Sequence, residues 1–112
     1  MARRIKLLVS VVVLTFAAGA LAQTTLNFWS WRTEDVAAYE KFIAAFNAEN
    51  PDIEVVFTPY LNTEYNTILA TALQGGGGPD IVHLRAYGGM EPLAQAGLLV
   101  RLDDKVPALA DF

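Results

Sequence analysis

The feature that most restricts the fold of this chain is the regular exchange of a two-residue and a 3.6-residue periodicity along its length. Thr25-Leu26-Asn27-Phe28-Trp29 alternates polar and apolar side chains and predicts a strand. Thr33 is expected to cap the helix that follows, with Glu34 and Asp35 in its first turn, where the helix dipole favours negative charge. Val36, Tyr39, Ile43 and Phe46 recur at helical spacing while Glu40 and Lys41 face away. Asn50-Pro51-Asp52 ends that helix, because proline cannot continue it. Ile53-Glu54-Val55-Val56-Phe57 predicts a second strand, broken by Thr58-Pro59. A second helix runs from about Glu64 to Gln74, with Tyr65, Ile68, Leu69, Ala72 and Leu73 on one side. Four glycines and Pro79 stop it, and Ile81-Val82-His83-Leu84 predicts a third strand. Gly88-Gly89 leads into a third helix carrying Met90, Leu93 and Ala94, closed by Gly97. Leu98 to Leu102 reads as a brief extended segment, and Pro107 as the start of another element.

Strand, helix, strand, helix, strand is two successive crossover units. Such units are right-handed and build parallel sheets with helices on both faces. The expected fold is therefore α/β, with strand order 2-1-3, and amounts to part of a lobe whose further strands are missing.

The first 22 residues follow a different logic. Arg3, Arg4 and Lys6 precede an apolar run from Leu7 to Leu21, and Ala20-Leu21-Ala22 gives a small-x-small cleavage pattern. That order describes a secretory signal peptide over residues 1–22, cleaved after Ala22. The run spans 15 residues, short of the roughly 20 that cross a bilayer, so stable membrane insertion is not expected. Residues 23–112 are read as the N-terminal part of the first lobe. The chain contains no cysteine, which excludes disulfides and points to a periplasmic or extracellular protein without a lipid anchor. From residue 23 onward five basic residues oppose twelve acidic ones, a net charge of −7. Nucleic acid and anionic lipid are poor partners for that balance.

In open parallel sheets ligands sit beyond the carboxyl ends of the strands, where the strand order reverses. With the order 2-1-3, the loops Ser30-Trp31-Arg32-Thr33 and Arg85-Ala86-Tyr87-Gly88 converge there, and Tyr60 with Asn62 lies further along the same edge. Each offers an aromatic ring beside a hydrogen-bonding group. Sugars need that combination, since their C–H faces pack on rings and their hydroxyls need polar partners. The candidate ligand residues are Trp31, Arg32, Thr33, Tyr60, Arg85 and Tyr87. Strand alternation leaves open which of Trp29 and Trp31 packs inward.

Other signals carry less. The glycine run leaves a helix and enters a strand, the reverse of a phosphate loop, and lacks the Lys-Ser/Thr pair. His83 is the only histidine and falls within a strand expected to be largely buried; with no cysteine to join it, a satisfied structural residue is expected rather than a metal ligand. Glu34-Asp35 and Asp103-Asp104 are sequence neighbours that point apart and suit helix starts or solvent turns better than paired catalytic acids. No cofactor is implied.

Gln74-Gly75-Gly76-Gly77-Gly78-Pro79-Asp80-Ile81-Val82, followed by Gln95-Ala96-Gly97-Leu98-Leu99, resembles the family 1 extracellular solute-binding proteins, the sugar-capturing components of ABC importers that include the maltose-binding type. Leu26-Asn27-Phe28-Trp29 and Phe46-Asn47-Ala48-Glu49-Asn50-Pro51 match the same family's opening unit. The resemblance implies a monomer with two α/β lobes, and ABC transporter membrane subunits as partners. It also implies a sugar or oligosaccharide ligand enclosed by hinge closure. Carried over by position, it points to Trp31, Arg32, Thr33, Arg85, Ala86 and Tyr87 at the sugar site. The charged groups of maltose-type members are not cleanly reproduced here. The alternative reading is the N-terminal lobe of a secreted polysaccharide-degrading enzyme, which a spaced carboxylate pair in further sequence would mark.

Overall fold

The computed structural model describes residues 23–111, so the signal segment expected over residues 1–22 lies outside the described residues. Strand β1 (Thr24–Ser30) leads through a 3-10 turn (Thr33–Asp35) into helix α1 (Val36–Glu49). Strand β2 (Ile53–Pro59), helix α2 (Asn62–Gln74) and the short strand β3 (Ile81–Val82) follow. A 3-10 turn (Tyr87–Gly89), the short helix α3 (Glu91–Gln95) and a last 3-10 turn (Pro107–Asp111) complete the order. The strands form one parallel sheet in the order β2-β1-β3, as the crossover pattern requires. The first crossover steps outward from β1 to β2, and the second returns past β1 to β3. Right-handed connections in opposite directions put α1 and α2 on opposite faces.

Aromatic contacts show how the faces are built. Phe28 and Phe57 stand directly opposite in the β1–β2 register, with ring centroids 5.2 Å apart. Tyr39 of α1 stacks on Phe57 at 4.8 Å and meets Phe28 edge-on at 5.4 Å. Cross-strand and aromatic pairs of this kind each contribute about 0.5–1 kcal/mol. On the α2 side, Trp29 packs against Tyr60 at 4.8 Å, and Tyr65 and Leu69 of α2 are fully covered.

Several details depart from the sequence reading, and the first is that β2 is not broken at Thr58-Pro59 but pairs through both residues. Thr33 does not cap α1: it opens the 3-10 turn, and neither Arg32 nor Asp35, at the two helical starts, makes a side-chain cap bond. Instead Arg32 bridges Glu34 and Asp35, so the first-turn carboxylates are held by a neighbouring guanidinium. Helix α2 starts at Asn62, two residues before the expected Glu64. Strand β3 keeps only two of its four expected residues, because its ladder is carried on by single bonds at each end. Asp80 N–H donates to Asn27 O and His83 N–H to Trp29 O, while the Asp80 carboxylate accepts the Asn27 N–H at 2.8 Å. Helix α3 is shortened to Glu91–Gln95 with Met90 as its N-cap, and the Leu98–Leu102 segment makes no strand.

Two glycines of the run have identifiable work. Gly76 adopts φ +72°, the left-handed conformation that lets the backbone reverse after α2, and a Cβ on Gly78 would come within 2.6 Å of the Leu73 side chain. The run is thus a helix terminus, as its order in the sequence indicates. Gly97 closes α3 in the same left-handed way.

Candidate functional site

The carboxyl ends of β1 and β3 meet at Trp31. Strand pairing stops at Ser30, so the indole of Trp31 is placed by side chains. His83 stacks on it with centroids 4.3 Å apart and planes 23° from parallel. The Arg85 guanidinium lies 4.3 Å from the ring centroid, a cation–π contact, and Arg85 Nη2 also donates to Asn62 Oδ1 at the start of α2. Tyr65 approaches the indole from α2 at 5.5 Å. A chain of rings therefore runs from Trp29 through Tyr60 and Tyr65 to Trp31 and His83 along one edge of the sheet.

Ser30 lies beneath this edge and is fully buried. Its Oγ accepts the Arg32 N–H at 3.0 Å and lies 3.0 Å from His83 Nδ1. Tyr65 is 1% exposed, and its hydroxyl donates to the carbonyls of both Trp29 and His83 at 3.0 and 2.9 Å. One phenol thus joins α2 to the ends of β1 and β3 at the level of the site. Burial pushes its pKa up to about 12.

The expected site residues separate into groups. Trp31 and Arg85 are brought together, with Asn62 tied in through Arg85. Tyr60 is half-buried against Trp29, which settles the contact of that tryptophan while both indoles stay partly accessible. Arg32 turns aside: it forms ion pairs with Glu34 at 3.0 Å and Asp35 at 2.7 Å. Its pKa is raised, chiefly by the hydrogen bond to Asp35. Thr33 is exposed, and its N–H is taken by Trp31 O. Tyr87 is 84% exposed and is the one non-glycine residue with positive φ (54°) among the described residues. The turn that carries it folds back on Arg85, close enough that a Cβ on Gly89 would meet Arg85 Cβ at 2.8 Å.

His83 belongs to this cluster, and the sequence reading placed it elsewhere, within a largely buried strand. Its Nδ1 has the partners expected of a satisfied histidine, but the residue is half-buried and lies just past β3. The available signal was position: it stands two residues before Arg85, at the strand end that adjoins Trp31. Beside Arg85 a cleft of about 200 Å³ opens between α2 and α3, lined among others by Tyr65, Leu69, Leu84 and Leu93. Two larger grooves, of about 440 and 420 Å³, lie along β2 and β3, away from the ring cluster.

Residues 29–111 match the family described as bacterial extracellular solute-binding protein. The chain is 31% identical to an uncharacterized lipoprotein in the oleD 5′ region of Streptomyces antibioticus, over 96% of this chain and 25% of the relative. A protein solved in work on xylan utilization by the thermophilic bacterium Caldanaerobius polysaccharolyticus superposes with a TM-score of 0.66 at 31% identity. That match covers 73% of this chain and 21% of the other. UspC of M. tuberculosis gives 0.59 at 29% identity, over 78% of this chain and 22% of that one. RafE of Streptococcus pneumoniae, in its apo form, gives 0.67 at 24% identity over 76% and 22%, a likeness of fold. The chain belongs to the bacterial extracellular solute-binding protein family, and it spans about a quarter of the length of its lipoprotein relative and less of the solved ones. No described helix is long and apolar enough to cross a membrane. The relative's being named a lipoprotein lends no support to the expectation of an unanchored chain.

Proposed function

We propose that this chain forms part of the sugar site of an exported binding protein that delivers a saccharide to the membrane subunits of an ABC importer. The observation that carries the reading is the ring cluster at the carboxyl edge of the sheet, where Trp31 and the Arg85 guanidinium lie against each other beside partly accessible Tyr60. Aromatic faces accept the C–H surface of a sugar, and the guanidinium presents several N–H donors in a fixed plane to its hydroxyls. The family is one of binding proteins, and the work on xylan utilization around one relative is consistent with saccharide as the ligand class. The maltose-binding type is one form such a protein takes. Among the described residues, the acidic pair at positions 34 and 35 is engaged by Arg32, which favours binding over hydrolysis at this edge.

The test is thermal unfolding of the protein expressed from its complete gene, with a panel of neutral mono- and oligosaccharides. A ligand that binds the native state alone raises the transition temperature in proportion to ln(1 + [L]/Kd). Trp31→Ala is expected to remove about 2 kcal/mol of binding, roughly 30-fold in affinity, as truncation of a buried aromatic anchor does. A panel without any thermal shift, or an alanine variant with parent affinity, would contradict the reading.

Tyr87 gives a second, independent prediction. A tyrosine in the left-handed region carries strain of about 1 kcal/mol, and such conformations concentrate at functional sites. Tyr87→Gly relieves the strain but makes the unfolded chain freer, by a comparable amount. The urea midpoint is therefore expected to stay nearly unchanged while saccharide affinity falls. Equal affinity in the glycine variant would remove Tyr87 from the site.

A further inference from the structure

Strand pairing leaves Trp31 unheld, and the residue best placed to hold it is His83. Its imidazole is fixed from three elements. Nδ1 lies 3.0 Å from Ser30 Oγ on β1 and 3.4 Å from the Tyr39 hydroxyl on α1. The backbone N–H of His83 donates to Trp29 O at 2.9 Å, and its backbone carbonyl accepts the Tyr65 hydroxyl of α2 at 2.9 Å. Ser30 decides the polarity of the link. Its hydroxyl is fully buried, already accepts the Arg32 N–H, and has no other acceptor for its own proton among the described residues. The proton is therefore directed at Nδ1, and the imidazole accepts there while carrying its own hydrogen on Nε2.

An imidazole pinned at its nitrogen and at both backbone groups is a rigid surface. The near-parallel stack at 4.3 Å and 23° transfers that rigidity to the indole. Tyr65 meets Trp31 at a steep 54°, and Arg85 is a flexible side chain, so neither defines the ring plane as His83 does.

We propose that His83 is a positioning residue that fixes the Trp31 indole in the orientation in which the ligand meets it. The consequence for affinity rests on the sugar-site reading; the hold on the ring does not. Pre-ordering a contact side chain cuts the entropy lost on binding, so the effect should pass through Trp31 alone.

The test uses the protein from its complete gene, labelled with 5-fluorotryptophan, with Trp29→Phe and Trp31→Phe assigning the two fluorine resonances. His83→Ala is expected to shift and broaden the Trp31 signal while that of Trp29 moves little. His83→Phe, which restores a ring face without the Nδ1 acceptor, is expected to return the signal part of the way. In affinity for the saccharide that gives the largest thermal shift, His83→Ala should cost about 10-fold in the parent and less than about 2-fold in a Trp31→Ala background. A Trp31 signal unmoved by His83→Ala overturns the proposal. So does an equal movement of both signals in the alanine and phenylalanine variants, which marks general loosening, and so does an affinity loss that persists undiminished without Trp31. If Trp31→Ala binds as the parent does, the sugar-site reading fails by itself, and the fluorine spectra still decide whether His83 holds the ring.

Discussion

Residues 23–112 expressed alone are expected to give no cooperative unfolding transition and no saccharide binding. The reason is the amount of surface left uncovered. Among the described residues only Tyr65, Leu69 and Ser30 are buried. Phe42 and Val100 are 72% exposed and Leu61 is 61% exposed. A groove along β2 is lined by Val36, Ile43, Val55 and Phe57, and another along β3 by Leu73, Val82, Leu84 and Leu99. Both outer strand edges also leave backbone groups unpaired, a template for association. Ordering each residue costs about 1–2 kcal/mol of conformational entropy, and two buried apolar side chains cannot offset that over such a length. Circular dichroism in a urea series would show a shallow, non-sigmoidal change, with dye binding to exposed apolar surface from the outset. A sharp sigmoid whose slope suits the size of the segment, about 1 kcal/mol per molar urea, would show that this segment is a domain by itself.

The same exposure explains what was and was not readable from the residues. Strand order was legible because each strand is followed by a helix of opposite periodicity, and because handedness leaves few ways to lay two such units on one sheet. The meeting of Trp31 and Arg85 followed from that order, since both stand just past the ends of adjacent strands. Arg32 was not legible: a loop arginine two residues before a carboxylate and three before another can turn to them or to a ligand, and only coordinates distinguish the two. Thr33 had the right residue type for a cap, yet a 3-10 turn intervenes and the carboxylates beside it are held by Arg32 instead. A third strand running through Leu84 would place His83 within a largely buried element. The strand stops at Val82, so the half-buried histidine lies past its end, stacked on Trp31 at the site edge. Periodicity locates an element well and its last residue poorly, and the sites of parallel sheets are made of last residues.

Among the described residues, Tyr65 is expected to give the largest single-residue effect on stability. It is 1% exposed, touches the rings of Trp31 and Tyr60, and bridges the carbonyls of Trp29 and His83 with one hydroxyl. Tyr65→Ala is expected to destabilise the protein from its complete gene by about 4 kcal/mol, the usual cost of emptying an aromatic site. Tyr65→Phe keeps the ring and strands two carbonyls without their shared donor, for about 1–3 kcal/mol. The pH profile separates the hydroxyl from the ring. An unfolded tyrosine loses its proton near 10.0, whereas burial holds the folded one until about 12. Below 10.0 the folded state has its full advantage; between the two values only the unfolded chain releases the proton. Stability therefore declines as pH rises through that window, by about 1.4 kcal/mol per unit from this group. Tyr65→Phe removes this contribution, so parent and variant curves measured by urea unfolding should converge as pH rises from about 10 to 12. If the gap between them stays constant across that range, the hydroxyl is not shielded as its burial indicates, and the join between α2 and the ends of β1 and β3 must rest on the ring alone.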